Sequence, residues 1–417
     1  MTSTWLKIAV ANILKNKRRS FYTIIAIAFG FAAVNIFGGF TEYIFRNLKG
    51  SFVYALAHGH LTVYKKDFLT EGQIDPLKYL ITENELDTIQ DICAKDSRIV
   101  IATPQLQIMG LLSNGIVSTI FIGMGGVPSA KKIIQSRAGG MVGKLKFYEG
   151  KSLEDDIIYG AGLTRGLAKK LKLYLGSDAI AMSPTLDGRI NAMDLQVFHL
   201  FRVQVDELND KVLYVNIKFA QTLYDTDSVD RIIILLDKDE NIESVKAFLE
   251  KAFVDKGLQM EVKNWRELSP FYTKVKDMFD IIFIILFVIV FIIVVASVTN
   301  TISMSVIERT REIGTLRALG LKRKGVVTLF AMESALLNIL GCISGICLTI
   351  LNWIMFNVFK PQWVPPNIPR KVPLEIYLVP SYMAKSFGFL LLLSIIVALL
   401  VARQAARKSI VGALGHI

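Results

Sequence analysis

IIFIILFVIVFIIVVASV, residues 281–298, is followed closely by SVIERTREIGTLRALGLKRKG, residues 305–325. The first stretch runs eighteen residues without a charge, too long for a strand and long enough for a helix to cross most of an apolar layer about 30 Å thick. The second carries six cations and two acids among apolar residues at helical spacing. Ile307, Thr310, Arg311 and Gly314 fall on one helical face, and Ile313, Leu316, Leu319 and Gly320 on another. That spacing predicts a short amphipathic helix, stopped at Gly320 before Lys322, Arg323 and Lys324. A basic stop-transfer loop would account for the cations but not for Glu308, Glu312 or the apolar face.

Three more apolar runs lie outward from this pair: 21–40, 326–358 and 386–402. The run after Lys17, Arg18 and Arg19 is twenty residues long and leads into Phe40, Tyr43, Ile44 and Phe45, without the small residues that follow a signal peptide. It reads as a retained anchor. The third run contains Glu333, Asn338 and a small-xxx-small step at Gly341 and Gly345, and Lys385 opens the fourth. Of the 417 residues 52% are hydrophobic and 20% charged, which excludes a soluble enzyme. The net charge of +12 is confined to residues 1–19, 304–325 and 403–417, which hold fourteen cations against Glu308 and Glu312. The remainder is balanced at 34 charges of each sign. Cations gathered at alternate loops mark the cytoplasmic side of a membrane, not a nucleic-acid surface.

These boundaries predict a cytoplasmic amphipathic helix at 1–19, spans at 20–44, 279–303, 326–358 and 381–402, a large external domain at 45–278, a cytoplasmic segment at 304–325, a short proline-rich external loop at 359–380 and a cytoplasmic tail at 403–417. The external domain reads as mixed α/β, with two subdomains and a β-rich middle at about 100–215. Strands are expected near 60–64, 99–106, 119–123, 195–202, 213–217 and 231–236, and helices near 83–94, 162–173, 217–223 and 242–256. No chemistry is legible in it. The string Gly139-Gly140-Met141-Val142-Gly143-Lys144-Leu145 has the wrong spacing for a phosphate loop, and the glycines at 123–126 and 160–166 read as turns. Cys93, Cys342 and Cys347 offer no disulfide framework, and His58 with His60 reads as a strand with alternating faces rather than a zinc site. No catalytic residue and no metal site is expected.

The run ERTREIGTLRALG after a second span, with an acid in the third, resembles the membrane subunit of ABC transporters of the macrolide-exporter, lipoprotein-releasing and cell-division-permease superfamily. Four spans with one large domain between the first two match that layout over the whole chain. Within it, Gly59-His60-Leu61, LLSNG at 111–115, GRINAMD at 188–194 and WRELSP at 265–270 are similar to the lipoprotein-releasing subgroup. The resemblance implies an α-helical membrane protein with four transmembrane helices and a large mixed α/β periplasmic domain between helices 1 and 2, in the bacterial inner membrane with both termini cytoplasmic. It implies that Glu308, Arg309, Thr310, Arg311, Glu312, Ile313, Gly314, Leu316, Arg317, Leu319 and Gly320 form a coupling helix that docks on a separate ATPase. Macrolide exporters carry that ATPase on the same chain, whereas here ATP and magnesium are expected on the partner and no cofactor on this chain.

Expected partners are two copies of the ABC ATPase, a second permease copy as homodimer or close-paralogue heterodimer, a periplasmic carrier or adaptor, and membrane lipid, but no nucleic acid. The expected work is mechanotransmission that extracts a lipoprotein, lipid or other amphiphile toward a periplasmic acceptor. Efflux of small amphiphiles with a tripartite partner, or signalling to a cell-wall hydrolase, are the alternatives. Phe37, Phe40 and Ile44 on the first span, with Phe279, Phe283 and Phe287 on the second, are candidates for acyl-chain contact, and equally for ordinary packing. Glu333 is expected to find Arg309, Arg311 or Arg317.

Overall fold

The structure, a computed structural model, describes residues 2–72, 74–139, 148–203, 208–364 and 371–405. Arg407, Lys408 and the rest of the tail from 406, prolines 365, 366 and 369, and the phosphate-loop-like string beyond Gly139 lie outside the described residues. Two compact units emerge: Met1–Phe45, Val275–Trp363 and Pro373–Ile417 form one, and Arg46–Lys274 with Val364–Val372 the other.

The first unit is helical. Among the described residues four helices are long and apolar enough to cross a membrane: Lys17–Ala55, which ends in a π-helical turn from Gly50, then Pro270–Glu308, Arg323–Phe359 and Pro380–Gln404. The second span is apolar all round, yet it buries only one stripe, Val290, Val294, Val298, Ile302 and Val306, repeating every fourth residue. Its other faces, including Ile281, Ile285 and Ile292, are exposed in the isolated chain, the surface that lipid covers in a bilayer. The stripe packs with Ile27, Phe31 and Val34 of the first span, Phe330 and Cys342 of the third, and Leu390 and Val397 of the fourth. Gly341 and Gly345 serve close approach: a Cβ at Gly345 would lie 2.9 Å from Ala28 O and from Phe31. Polar pairs fix the register, with Thr23 and Thr301 hydroxyls 2.6 Å apart and Asn338 Nδ2 donating to Leu390 O at 3.0 Å.

The second unit is built on one ten-stranded sheet. Its strands are β1 (Leu61–Lys65), β2 (Ile99–Ser113), β3 (Ser118–Gly126), β4 (Tyr148–Gly150), β5 (Gly160–Thr164), β6 (Asp178–Pro184), β7 (Ile190–Phe201), β8 (Val212–Asn216), β9 (Arg231–Leu236) and β10 (Met260–Asn264). Following the pairing from β2 through β3, β8, β5, β7 and β6 returns to β2, so the middle of the domain closes into a ring. Ala161, Leu163, Ala181, Val197, Leu213 and Val215 are buried there. The other end is open, in the order β10, β1, β9, β2, with helices Glu83–Ala94 and Ile242–Asp255 contributing Ile89, Val245 and Leu249 to the same core. The expected two subdomains share this sheet, because the fifteen-residue β2 pairs with β9 along its first half and with β3 and β6 along its second.

Some elements differ from the expectation. The helix expected at 162–173 is a fully buried strand, Gly160–Thr164, followed by a short helix, Arg165–Lys170. Pairing with β7 on one side and β8 on the other leaves no room at Gly162, where a Cβ would lie 2.2 Å from His199 Nε2. The glycines at 123–126 are likewise in a strand rather than a turn, and a Cβ at Gly125 would meet Ala220 at 2.3 Å. Strands β4, β6 and β10 have no counterpart among the strands expected from sequence. Elsewhere Thr82 caps Glu83–Ala94 with a full capping box, Glu85 accepting from Thr82 N at 2.9 Å. His60 lies just ahead of β1 with Nδ1 accepting from Leu236 N at 3.0 Å, which takes that nitrogen out of any ligand role.

Candidate functional site

The basic segment after the second span is a separate short helix. The span runs to Glu308, the backbone breaks at Arg309 (φ −113°, ψ 17°), and a second helix follows from Thr310 to Ala318. Thr310 Oγ1 donates back to Val306 O at 2.8 Å across the break. Gly320, at φ +100°, turns the chain into the third span, a conformation that favours glycine.

One face of this helix is turned inward. Thr310 and Gly314 are buried and Ile313 packs on the membrane core. Glu308, Arg311, Glu312 and Gly320 are exposed, Arg309 and Arg317 half-buried, and Ile307 and Leu319 are 60% and 81% exposed. The side chain of Leu316 lies outside the described residues. Two apolar side chains therefore stand out among charges of both signs, the composition of a surface that docks on a polar partner.

Charge organises the segment further. Arg309 Nε donates to Glu312 Oε2 at 3.0 Å, and its Nη1 stands 3.7 Å from Glu333 Oε2 in the third span. Of the three arginines expected near Glu333, the structure brings up Arg309 at that distance. The guanidinium of Arg309, aided by Lys15, holds the Glu312 carboxyl below the usual carboxylate range. Sequence reasoning missed the partners from the N-terminus. Arg19 Nη1 donates to Glu308 at 3.1 Å, Asn16 Nδ2 reaches the same carboxylate at 3.5 Å, and Lys15 is 3.5 Å from Glu312. The signal was available: Glu308 and Glu312 are the only acids within the three basic stretches.

The aromatic candidates also come together. Phe37 stacks on Phe279 at 6.0 Å and lies 6.2 Å from Phe283, Phe40 is 6.1 Å from Phe279, and Phe283 stacks on Phe287 at 6.3 Å. Phe45, Trp363 and Phe389 extend the row. All of the candidates, with Ile44, are half-buried, so they pack on one another and still present surface. In the sheet domain, Leu111 of β2 stands in register between Ile120 of β3 and Met182 of β6, giving a second apolar strip on an outer face.

Comparison with known proteins bears on this arrangement. Residues 284–410 match the family model described as FtsX-like permease C-terminal, a stretch that takes in most of the second span, the short helix and the last two spans. An uncharacterized ABC transporter permease of Methanocaldococcus jannaschii is 26% identical over 211 residues, 49% of this chain and 50% of that protein. A macrolide export ATP-binding/permease protein, MacB 2, of Aeromonas hydrophila is 31% identical over 119 residues, 28% of this chain and 17% of that one. The matched stretches thus span half or less of these relatives. The crystal structure of the periplasmic region of MacB from Actinobacillus actinomycetemcomitans aligns with a TM-score of 0.36 and 15% identity, over 51% of this chain and 91% of that one.

Proposed function

We propose that this chain, an ABC transporter permease of the MacB and FtsX type, is the non-catalytic membrane subunit of a transporter powered by a separate ATPase. It extracts a lipid-anchored or otherwise amphiphilic cargo from the inner membrane toward a periplasmic acceptor. The observation that carries the reading is the helix Thr310–Ala318, separated from the second span by the break at Arg309 and fixed to the bundle by Thr310, Ile313 and Gly314. A segment both exposed and mechanically fastened can take up movement of a docked partner and pass it into the spans. The termini and this helix lie on the cytoplasmic side, as the cation distribution requires, and the sheet domain lies in the periplasm. Two permease copies meet two ATPases, which hold the ATP and magnesium.

Cargo contact falls to the row Phe37, Phe40, Phe279, Phe283 and Phe287 near the outer ends of the first two spans, whose flat apolar faces suit acyl chains. The strip at Leu111, Ile120 and Met182 suits an apolar acceptor. Efflux of small amphiphiles is the second reading, favoured by the identity to a protein named for macrolide export. The purified chain should turn over no ATP until an ATPase subunit is added. Arg311→Glu should weaken ATPase binding by about 1–2 kcal/mol, roughly tenfold, while insertion is unchanged because the remaining cations still set topology. Unaltered binding and transport in that variant would reduce the segment to a topological anchor.

A further inference from the structure

The N-terminal helix and the turn after it reach the foot of the second span and the coupling helix. The helix Thr2–Lys15 passes into the first span through a turn at Asn16, closed by Ser20 Oγ donating to Ile13 O at 3.2 Å. On one side Ala9 is fully buried and Trp5 lies against Gly325, at the start of the third span. From the turn, Lys15 reaches Glu312, and Asn16 and Arg19 reach Glu308. The Arg19 side chain is 19% exposed against 40% for Glu308, and that of Arg309 13% against 8% for Glu333. Arg309 with Glu333 is therefore shielded from water and Arg19 with Glu308 is shielded on the arginine side alone, whereas Lys15 with Glu312 is a surface pair and counts for little. Among the described residues Arg19 Nε is buried without a hydrogen-bond partner, while Arg309 Nη1 and Glu333 Oε2 face each other at 3.7 Å, beyond hydrogen-bond length, with Asn12 beside Glu333. Such a cluster is sensitive to small displacements, since a small shift would close the bond between Arg309 and Glu333.

We propose that Arg19, with Asn16, is a positioning residue for ATPase coupling: it holds Glu308 at the foot of the second span, fixes the angle at which the helix Thr310–Ala318 leaves the bundle, and carries the helix's movement into the first span. This rests on the reading of that helix as the ATPase dock. The route through the first span matters because that span packs on the other three, through Val290, Gly341 and Gly345, and through Ser386, which accepts from Asn35 Nδ2 at 3.0 Å. Motion passed only along the second span would enter a helix held by a single stripe.

The test uses the full chain in lipid nanodiscs, with a nitroxide at the exposed position Thr315→Cys. Without any ATPase, Arg19→Gln loosens the label relative to the parent and Arg19→Lys keeps it as in the parent. With the ATPase subunit added, Arg19→Gln binds it within about twofold of the parent, while permease-dependent stimulation of ATP turnover falls roughly threefold to tenfold and is retained by Arg19→Lys. An unchanged label in Arg19→Gln overturns the positioning role. A loosened label with unchanged stimulation overturns the transmission role. A loss of binding as large as the loss of stimulation makes Arg19 part of the dock instead, against the proposal. If the parent binds no ATPase while its label responds to Arg19→Gln, the coupling reading itself has failed and transmission falls with it.

Discussion

Arg309 is shared between Glu312 at 3.0 Å on the exposed helix and Glu333 at 3.7 Å inside the bundle. A carboxylate within a span is costly unless an opposite charge is close, about 2.5–3.5 kcal/mol at mid-bilayer. Glu333→Gln keeps the size and removes the charge, so it should lower ATPase coupling more than protein level; equal coupling in both forms would show that no charge pair operates. In the sheet domain, His60 makes a different prediction. Its Nδ1 accepts a backbone N–H, so the neutral ring carries its proton on Nε2 and donates to Asp239 Oδ1 at 3.0 Å or Tyr54 Oη at 3.2 Å. Burial pushes it down to about 4, and His58 and His199 likewise. An unfolded histidine titrates near 6.5, so as pH falls from about 6.5 to about 4 the unfolded chain takes up protons that the folded one refuses. The domain's stability is then full above the upper value and declines through that window. Hydrogen exchange of β1 and β9 amides in the full chain should show the loss, with a shallower slope in His60→Gln. An identical slope in that variant would contradict the assignment.

At the scale of elements, the second span was legible because its apolar run is long and unbroken, and its sequel because charged and apolar residues sit there at helical spacing up to Gly320. Gly160–Thr164 was not legible. Its burial on both sides comes from partners at β7 and β8, distant in sequence, and a run containing two glycines carries little period of its own. The charge signal for Arg19 and Glu308 was present in the sequence, but with 289 residues between them nothing local joined the two. The small-residue step was legible as a packing motif and can be tested as one. Gly345→Leu forces a side chain against Ala28 O and Phe31, and overpacking of that kind costs about 1–3 kcal/mol. The variant should show a lower thermal midpoint in detergent. Gly388→Ala, where a Cβ meets nothing within 4 Å, should not; equal loss in both would mean the third span does not pack on the first through Gly345.

For the molecule as a whole, the proposed cytoplasmic side rests on fourteen cations gathered in three short stretches of the sequence. The closed ring of strands was not foreseen, because closure depends on β6 meeting both β2 and β7. What joins the two scales is the short helix at 310–318, through which force must enter if a separate motor drives this chain. The direct test is ATP turnover in nanodiscs by the chain alone, by an ATPase subunit alone, and by the two together, for the parent and for Arg311→Glu. No turnover by the chain alone, stimulation of the ATPase on mixing, and loss of most of that stimulation in Arg311→Glu is the predicted result. Turnover by the isolated chain, or equal stimulation by parent and variant, would contradict it.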